Sequence, residues 1–225
     1  MKVFVVIPAY NEEKAIAKVV GELKKKGYNN VVVVDDGSRD GTGKAAERAG
    51  ADVLRHIVNR GQGAGLSTGI KHALRQGADV VVTFDADGQH RVEDIRRIIQ
   101  PLKTGKYDIV LGSRFLGKSK VPLGKRMALK AGAFFNWMVY GILLSDAHNG
   151  LRAMTRKAAL KIEITADKME HASEILDEIR KKRLRFTEVP VRIKYTHYSL
   201  KKGQGAWKFI PLGFRIMIRK IIRLI

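Results

Sequence analysis

The sequence predicts an α/β fold in which helices cover both faces of a mostly parallel sheet, with amphipathic helices added near the C-terminus. Three observations carry that prediction. Short β-branched runs recur at 3–7 (VFVVI), 31–34 (VVVV), 53–58 (VLRHIV), 80–84 (VVVTF) and 109–111 (IVL), and they are apolar almost throughout, as strands buried on both faces must be. Segments of helical periodicity, 12–26, 41–49, 63–76 and 93–103, alternate with them. Gly27, Gly50, Gly77 and Gly105 each follow a helical segment, where a left-handed residue closes a helix. Residues 1–112 therefore read as a doubly wound unit. Ligands of such sheets bind beyond the carboxyl ends of the strands.

Beyond residue 112 the pattern changes. Residues 126–144 predict a helix with apolar positions at Met127, Ala131, Phe134, Phe135, Met138 and Ile142. A mixed segment, SDAHNGLRAM, follows. A helix at 168–182 leads into the strand-like EVPVRIKY, and 206–225 predicts a last helix. No repeat or low-complexity linker divides the chain. We read one catalytic domain over 1–205, with a donor-binding half at 1–112 and an acceptor-binding half at 113–205, followed by an amphipathic appendage at 206–225.

The 225 residues are 45% hydrophobic, enough to bury a sizeable core. With no cysteine, the chain has neither disulfides nor a thiolate zinc site. Met1-Lys2 runs straight into the first strand with no secretory leader pattern, which predicts a cytoplasmic protein. The formal net charge is +21, and it is uneven: 18 basic against 14 acidic residues up to 112, then 25 against 8. A basic half implies a polyanionic partner: nucleic acid, an anionic membrane or a phosphorylated substrate. A solvated lysine-rich surface is the plainer alternative. No nucleic-acid-binding signature is present, and nucleic acid would leave the acidic motifs unexplained.

Those motifs stand at strand ends. PAYNE (8–12) ends the first strand, Asp35-Asp36-Gly37-Ser38 the second, and Asp85-Ala86-Asp87 the fourth. Carboxylates gathered on one rim repel one another, and a divalent cation relieves them. Asp87, Gln89 and water offer hard oxygen ligands of the kind that suits Mg²⁺ or Mn²⁺. A cation open on one side grips a diphosphate and stabilises it as a leaving group. Taken singly, each Asp-Gly pair also reads as an ordinary turn. DADGQ lacks the later ligands of a calcium-binding loop, and no GxxxxGK[ST] is present. GQGAG (61–65) misses the third glycine of a dinucleotide loop, because Leu66 stands there, and it follows the third strand rather than the first.

PAYNE, VVDDGSRDGT, NRGQGAG, FDADGQH, GSRF, NGLRA after Asp146, and EVPV occur here in one order. In that order they resemble the inverting GT-A glycosyltransferases of family 2, above all the dolichyl- and polyprenyl-phosphate mannose (sugar) synthases, over about residues 2–205. The resemblance implies a GT-A fold, a nucleotide-diphosphate sugar donor and a divalent metal. It implies that Pro8, Tyr10, Glu12, Val34 and Asp36 line the nucleoside pocket, with Asp36 reading the base. Asp85 and Ala86 would lie by the ribose and metal, and Asp87 and Gln89 would ligate the metal with Asp85. Arg114 and Arg126 would hold phosphate, with Asp87, Arg114 and Arg126 as the catalytic set.

An acceptor hydroxyl needs a general base, whereas a lipid phosphate is already anionic and needs cations to orient it. The family commonly places an Arg and a Lys late in the chain. Here the counterpart is YTHYSLKKGQG (195–205), in which His197, Lys201 and Lys202 are candidates to touch the diphosphate. Glu174 occupies the region where relatives acting on hydroxyls keep a catalytic acid, and it also reads as an ordinary helix charge. The expected donor is GDP-mannose and the expected acceptor a polyprenyl phosphate. The alternative is UDP-glucose or another donor with a hydroxyl acceptor.

The tail fits a membrane acceptor. Phe214, Met217, Ile218, Ile221, Ile222 and Ile225 form one stripe of the predicted helix, and Arg215, Arg219 and Arg223 form another. A greasy face beside a cationic one lies in the interface of an anionic membrane. The 17 residues from Phe209 carry four charges and Pro211, so they predict a peripheral contact on the inner face rather than a span. Residues 126–144, rich in aromatics, are expected to dip similarly beside the active site; two core-packing helices are the plainer alternative.

Overall fold

A computed structural model describes residues 1–117, 126–127, 129–130, 133–134, 137–138 and 141–194. Its strands are β1 (Val3–Ala9), β2 (Asn30–Asp35), β3 (Asp52–Arg55), β4 (Val80–Thr83), β5 (Ile109–Ser113), β6 (Arg152–Thr155) and β7 (Phe186–Pro190). Its helices are α1 (Glu13–Lys25), α2 (Thr42–Arg48), α3 (Gln62–Arg75), α4 (Glu93–Ile99), α5 (Arg156–Lys161) and α6 (His171–Lys181). A 3₁₀ turn, Gln100–Thr104, extends α4. It forms where Pro101 removes an N–H that a regular helix would use. Gly27, Gly50, Gly77 and Gly105 all have positive φ, as expected of helix-closing glycines.

The seven strands form one sheet in the order β3-β2-β1-β4-β6-β5-β7. All neighbours run parallel except β6, which is antiparallel to both β4 and β5. The β6 strand and the short α5 lie in or just after the mixed segment SDAHNGLRAM, for which the sequence predicted no regular structure. On one face of the sheet, Ile16, Val19, Val20 and Leu23 of α1, Ala46 of α2, and Ile95, Ile98 and Ile99 of α4 pack on Val5, Ile7, Val31 and Val33. On the other, Leu66, Ile70, Ala73 and Leu74 of α3 and Ile175, Leu176 and Ile179 of α6 pack on Val6, Val32, Val34, Val81 and Met154. Period-2 alternation in the strands divides the core between the two layers.

The third strand stops at Arg55, short of the predicted residue 58, and Ile57 stands fully exposed. The described residues between 126 and 138 are helical. Their burial differs from the predicted apolar face: Leu129 and Ala133 are buried, whereas Met127, Phe134, Trp137 and Met138 are exposed and Ile142 is buried beyond the helix. The predicted helix at 206–225 lies outside the described residues, as do His197, Lys201 and Lys202.

Candidate active site

Because β2, β1 and β4 are adjacent and parallel, their ends bring PAYNE, DDGS and DAD to one edge. The first two motifs interlock through hydrogen bonds. Asn11 takes a left-handed φ of 53°, a conformation that asparagine tolerates better than most residues. Its N–H donates to Ser38 Oγ at 3.0 Å, and its Oδ1 accepts from Arg39 N at 2.9 Å. Glu12 N donates to Thr42 Oγ1 at 2.8 Å, and the Glu12 side chain is buried. Pro8 and Val34 line the floor under Gly65 of α3, while Tyr10 is exposed.

The paired aspartates divide their work. Asp35 accepts from Ser38 N at 2.9 Å and faces Arg55, which shapes the turn. Asp36 reaches across to the loop after β3: it accepts from His56 Nδ1 at 2.7 Å, Arg60 N at 3.0 Å and Gly61 N at 2.6 Å. His56 Nε2 meets Thr68 Oγ1 at 3.0 Å. A carboxylate accepts about four hydrogen bonds, so these three leave about one acceptor position on Asp36.

The glycine loop turns inward. Gly61 has φ 111°, and a side chain there would lie 2.4 Å from the Asp167 carbonyl oxygen. That same carbonyl accepts from Gly63 N at 2.8 Å and Ala64 N at 3.2 Å. The first donors of α3 are thus spent on protein rather than offered to a phosphate, in agreement with the loop's failure to match a dinucleotide motif.

In DADGQH, Asp85 accepts from Gln62 Nε2 at 3.1 Å and pairs with His90 Nε2 at 2.8 Å. Its carboxylate lies on the backbone of Gly150, where an added Cβ would sit 2.4 Å from Oδ2. Burial pushes the Asp85 pKa up, but His90, Arg152 and His171 outweigh it and leave the group below its ordinary value. Asp87 moves the other way: burial and then the neighbouring charge of Asp85 raise it, although Gln89 donates to both its oxygens. The rise marks a repulsion that a cation would relieve. Among the described residues no three His, Cys, Asp or Glu side chains converge as a metal cage. Two carboxylates and the Gln89 amide fit a cation that takes its remaining ligands from substrate and water.

Behind this loop, Arg152 on β6 is 3% exposed and faces both Asp85 and Asp146. Burial lowers its pKa to about 10, so it stays charged at neutral pH. His171 at the start of α6 is buried, and desolvation followed by the charge of Arg152 takes it down to about 4. His148 falls to about 4 for the same reasons.

Arg114 of GSRF is 8% exposed. Its Nε and backbone N–H donate to Asp146 Oδ2 at 2.6 and 3.0 Å, and Nη2 donates to the His148 carbonyl at 3.1 Å. Arg126 is exposed on the helical residues. Glu174 is buried and accepts from Thr165 N at 2.9 Å, Ala166 N at 2.8 Å and Thr165 Oγ1 at 2.5 Å, which pins the loop before α6 rather than leaving a surface charge. The chain after β7 returns to the rim: Val191 N donates to Ser113 O, Lys194 N donates to Gln89 O at 2.8 Å, and Ile193 bridges His90. The last described residue of this stretch, Lys194, thus lies beside the DAD loop.

Gln62, His90, Arg152 and His171 surround Asp85 although the sequence reading named none of them as site residues. Arg152 had a signal: it is a lone charge in the apolar run GLRAM. Gln62 and His90 stood inside quoted motifs. His171 carried no local sign.

The description Glycosyl transferase family 2 matches residues 4–162. The chain belongs to glycosyl transferase family 2. It is a glycosyltransferase with a Rossmann-like GT-A fold. Among family 2 relatives it resembles a UDP-N-acetylglucosamine–dolichyl-phosphate N-acetylglucosaminyltransferase of Methanococcus voltae, 35% identical over 98% of this chain and 95% of that one. An undecaprenyl-phosphate mannosyltransferase of Micrococcus luteus is 32% identical over 85% of this chain and 83% of that one. Glucosyl-3-phosphoglycerate synthase of Mycobacterium tuberculosis, solved with Mn²⁺ and UDP, shares the fold at a TM-score of 0.69 and 19% identity, covering 96% of this chain and 77% of that one.

Proposed function

We infer that this family 2 enzyme moves a sugar from a nucleotide-diphosphate donor to a polyprenyl phosphate, with a divalent cation at Asp85, Asp87 and Gln89. The relatives of M. voltae and M. luteus, named for lipid-phosphate acceptors, support the acceptor. The observation that carries the reading is the state of Glu174, in the region where relatives acting on hydroxyls keep a catalytic acid. Both its oxygens accept from the 165–166 loop, three donors in all, whereas Asp146 holds Arg114 through Oδ2 and keeps Oδ1 without a hydrogen-bond partner. A hydroxyl acceptor acting through Glu174 would need that carboxylate free to take a proton; a phosphate acceptor does not.

The cation's chemistry is to neutralise the diphosphate as it leaves. The chain's own residues do the rest. Asp36 and the loop 56–61 frame the base, and Gln62 and His90 fix the carboxylate of Asp85. The cations at 126 and 195–202 orient the acceptor phosphate in line with the anomeric carbon. Arg114 supports this indirectly, through Asp146, at the floor of the acceptor side.

GDP-mannose is the donor expected from the sequence. A second donor, a UDP-linked sugar, is favoured by Asp36: its one remaining acceptor position suits the single N3–H of uracil better than the two adjacent donors of guanine. The M. voltae relative's named donor agrees. Contact with the inner membrane face is supported by Leu116, Met127, Phe134, Trp137, Met138 and Leu143, all exposed, in a chain of net charge +21. No helix of the described residues is long and apolar enough to cross a membrane. The test is transfer of labelled sugar from GDP-mannose, UDP-glucose and UDP-N-acetylglucosamine to polyprenyl phosphate. Product with a soluble hydroxyl acceptor alone would reject the reading.

A further inference from the structure

Among the described residues two guanidinium groups are buried, Arg114 and Arg152. The first has a hydrogen-bonded partner in Asp146 and a place in the acceptor half. The second has no role in the reading above. It sits at the mouth of β6, where the register sets its Cα opposite Thr83, two residues before Asp85. Thr83 Oγ1 donates to the Gly150 carbonyl at 2.6 Å, which locks the start of β6 to the end of β4. Gly150 in turn carries the Asp85 carboxylate on its backbone. Strand alternation puts Arg152 on the same face as Met154, under α3 and α6. At 3% exposure the guanidinium lies inside the fold, facing Asp85 and Asp146 beneath the DAD loop.

A fixed positive charge is an odd neighbour for a cation site. Two carboxylates alone would draw a divalent ion by a charge of −2, whereas the guanidinium reduces the local charge to about −1. A diphosphate adds negative charge of its own and restores the attraction. We propose that Arg152 is a positioning residue that holds Asp85 as a screened carboxylate, so that the site rejects a bare divalent cation and takes it up together with the nucleotide diphosphate. Gln62 and His90 hold the geometry of Asp85 by hydrogen bonds, and Arg152 sets its field. A guanidinium stays protonated throughout the neutral range, so this effect does not depend on pH there. The consequence is a cation that arrives with the donor and departs with the nucleotide product.

The inference rests on the donor reading, and one experiment separates their failures. Binding of Mn²⁺ to the full chain is followed by the loss of the free-ion electron paramagnetic resonance signal, near neutral pH, alone and with UDP or GDP, after subtraction of the Mn²⁺ that the nucleotide binds in a protein-free blank. Wild type, Arg152→Met and Arg152→Lys are compared, with thermal melting to confirm folding. The wild type binds bare Mn²⁺ at least about tenfold more weakly than Mn²⁺ with nucleotide, the scale expected for one nearby charge. Arg152→Met tightens bare Mn²⁺ about tenfold and narrows the gap, and Arg152→Lys behaves as wild type. Bare Mn²⁺ bound by the wild type as tightly as in the presence of nucleotide overturns the inference, as does a folded Arg152→Met with unchanged or weaker bare binding. If Arg152→Met does not fold, Arg152→Gln and the wild-type comparison decide on the same criteria. If neither nucleotide promotes Mn²⁺ binding in any variant, the donor reading fails and this inference falls with it.

Discussion

Acidification tests the buried charge arrangement through His171. This side chain is 4% exposed, and its Nδ1–H donates to the Lys168 carbonyl at 2.7 Å. Burial, and then the charge of Arg152, hold its pKa at about 4 against an ordinary 6.5. The unfolded chain therefore takes up this proton as pH falls through 6.5, and the folded chain refuses it until about 4. A depressed folded pKa gives stability that is complete above 6.5 and lost progressively toward 4. At about 1.4 kcal/mol per pH unit, the loss from this residue is about 2 kcal/mol by roughly pH 5 and about 3 kcal/mol near pH 4. His171→Asn keeps a donor for Lys168 and removes the titration. The assay is urea unfolding of both proteins at a series of pH values, taking the difference so that other groups cancel. The wild type loses about 2 kcal/mol relative to His171→Asn between neutrality and roughly pH 5. Parallel profiles would refute the reasoning, because they would mean that His171 takes up its proton equally in both states.

Other substitutions probe the site and the core. Gly150→Ala places a methyl 2.4 Å from Asp85 Oδ2, so it should raise the donor KM about tenfold or more with only a modest loss of melting temperature, as donor titration would reveal. Asp87→Asn should cut transfer about a hundredfold or more while folding is kept, measured by initial rates at saturating metal. Glu174→Gln separates the acceptor readings: a phosphate acceptor predicts lower stability with kcat changed only a few-fold, whereas a hydroxyl acceptor predicts loss of a catalytic base, about a hundredfold or more. Met154→Ala, in the fully buried centre of β6, should cost about 2–5 kcal/mol by chemical denaturation.

The parallel part of the fold was legible because its strands are buried on both faces and read as unbroken β-branched runs, with glycine closing each helix. Strand β6 escaped notice because it contains arginine, alanine, methionine and threonine, and its place between β4 and β5 comes from tertiary pairing rather than propensity. The overrun at β3 has a related cause. Ile57 and Val58 are β-branched, yet His56 turns aside to meet Asp36, and the chain leaves the sheet there. At the site, topology made the convergence of PAYNE, DDGS and DAD readable, since adjacent strand ends share an edge. The partners of individual side chains were hidden in contacts distant along the chain. Asp36 closes on Gly61 and Arg114 on Asp146, neither of which local spacing reveals. Glu174 looked like a surface charge because a helical position does not disclose the loop that folds onto it.

The most direct test of the central claim is transfer of radiolabelled sugar from its nucleotide donor into organic solvent, with and without polyprenyl phosphate and Mn²⁺, in wild type and Asp87→Ala. The account predicts extractable label that requires both the lipid phosphate and the metal and is lost in the variant. Label that appears without polyprenyl phosphate, or that survives Asp87→Ala undiminished, would contradict it.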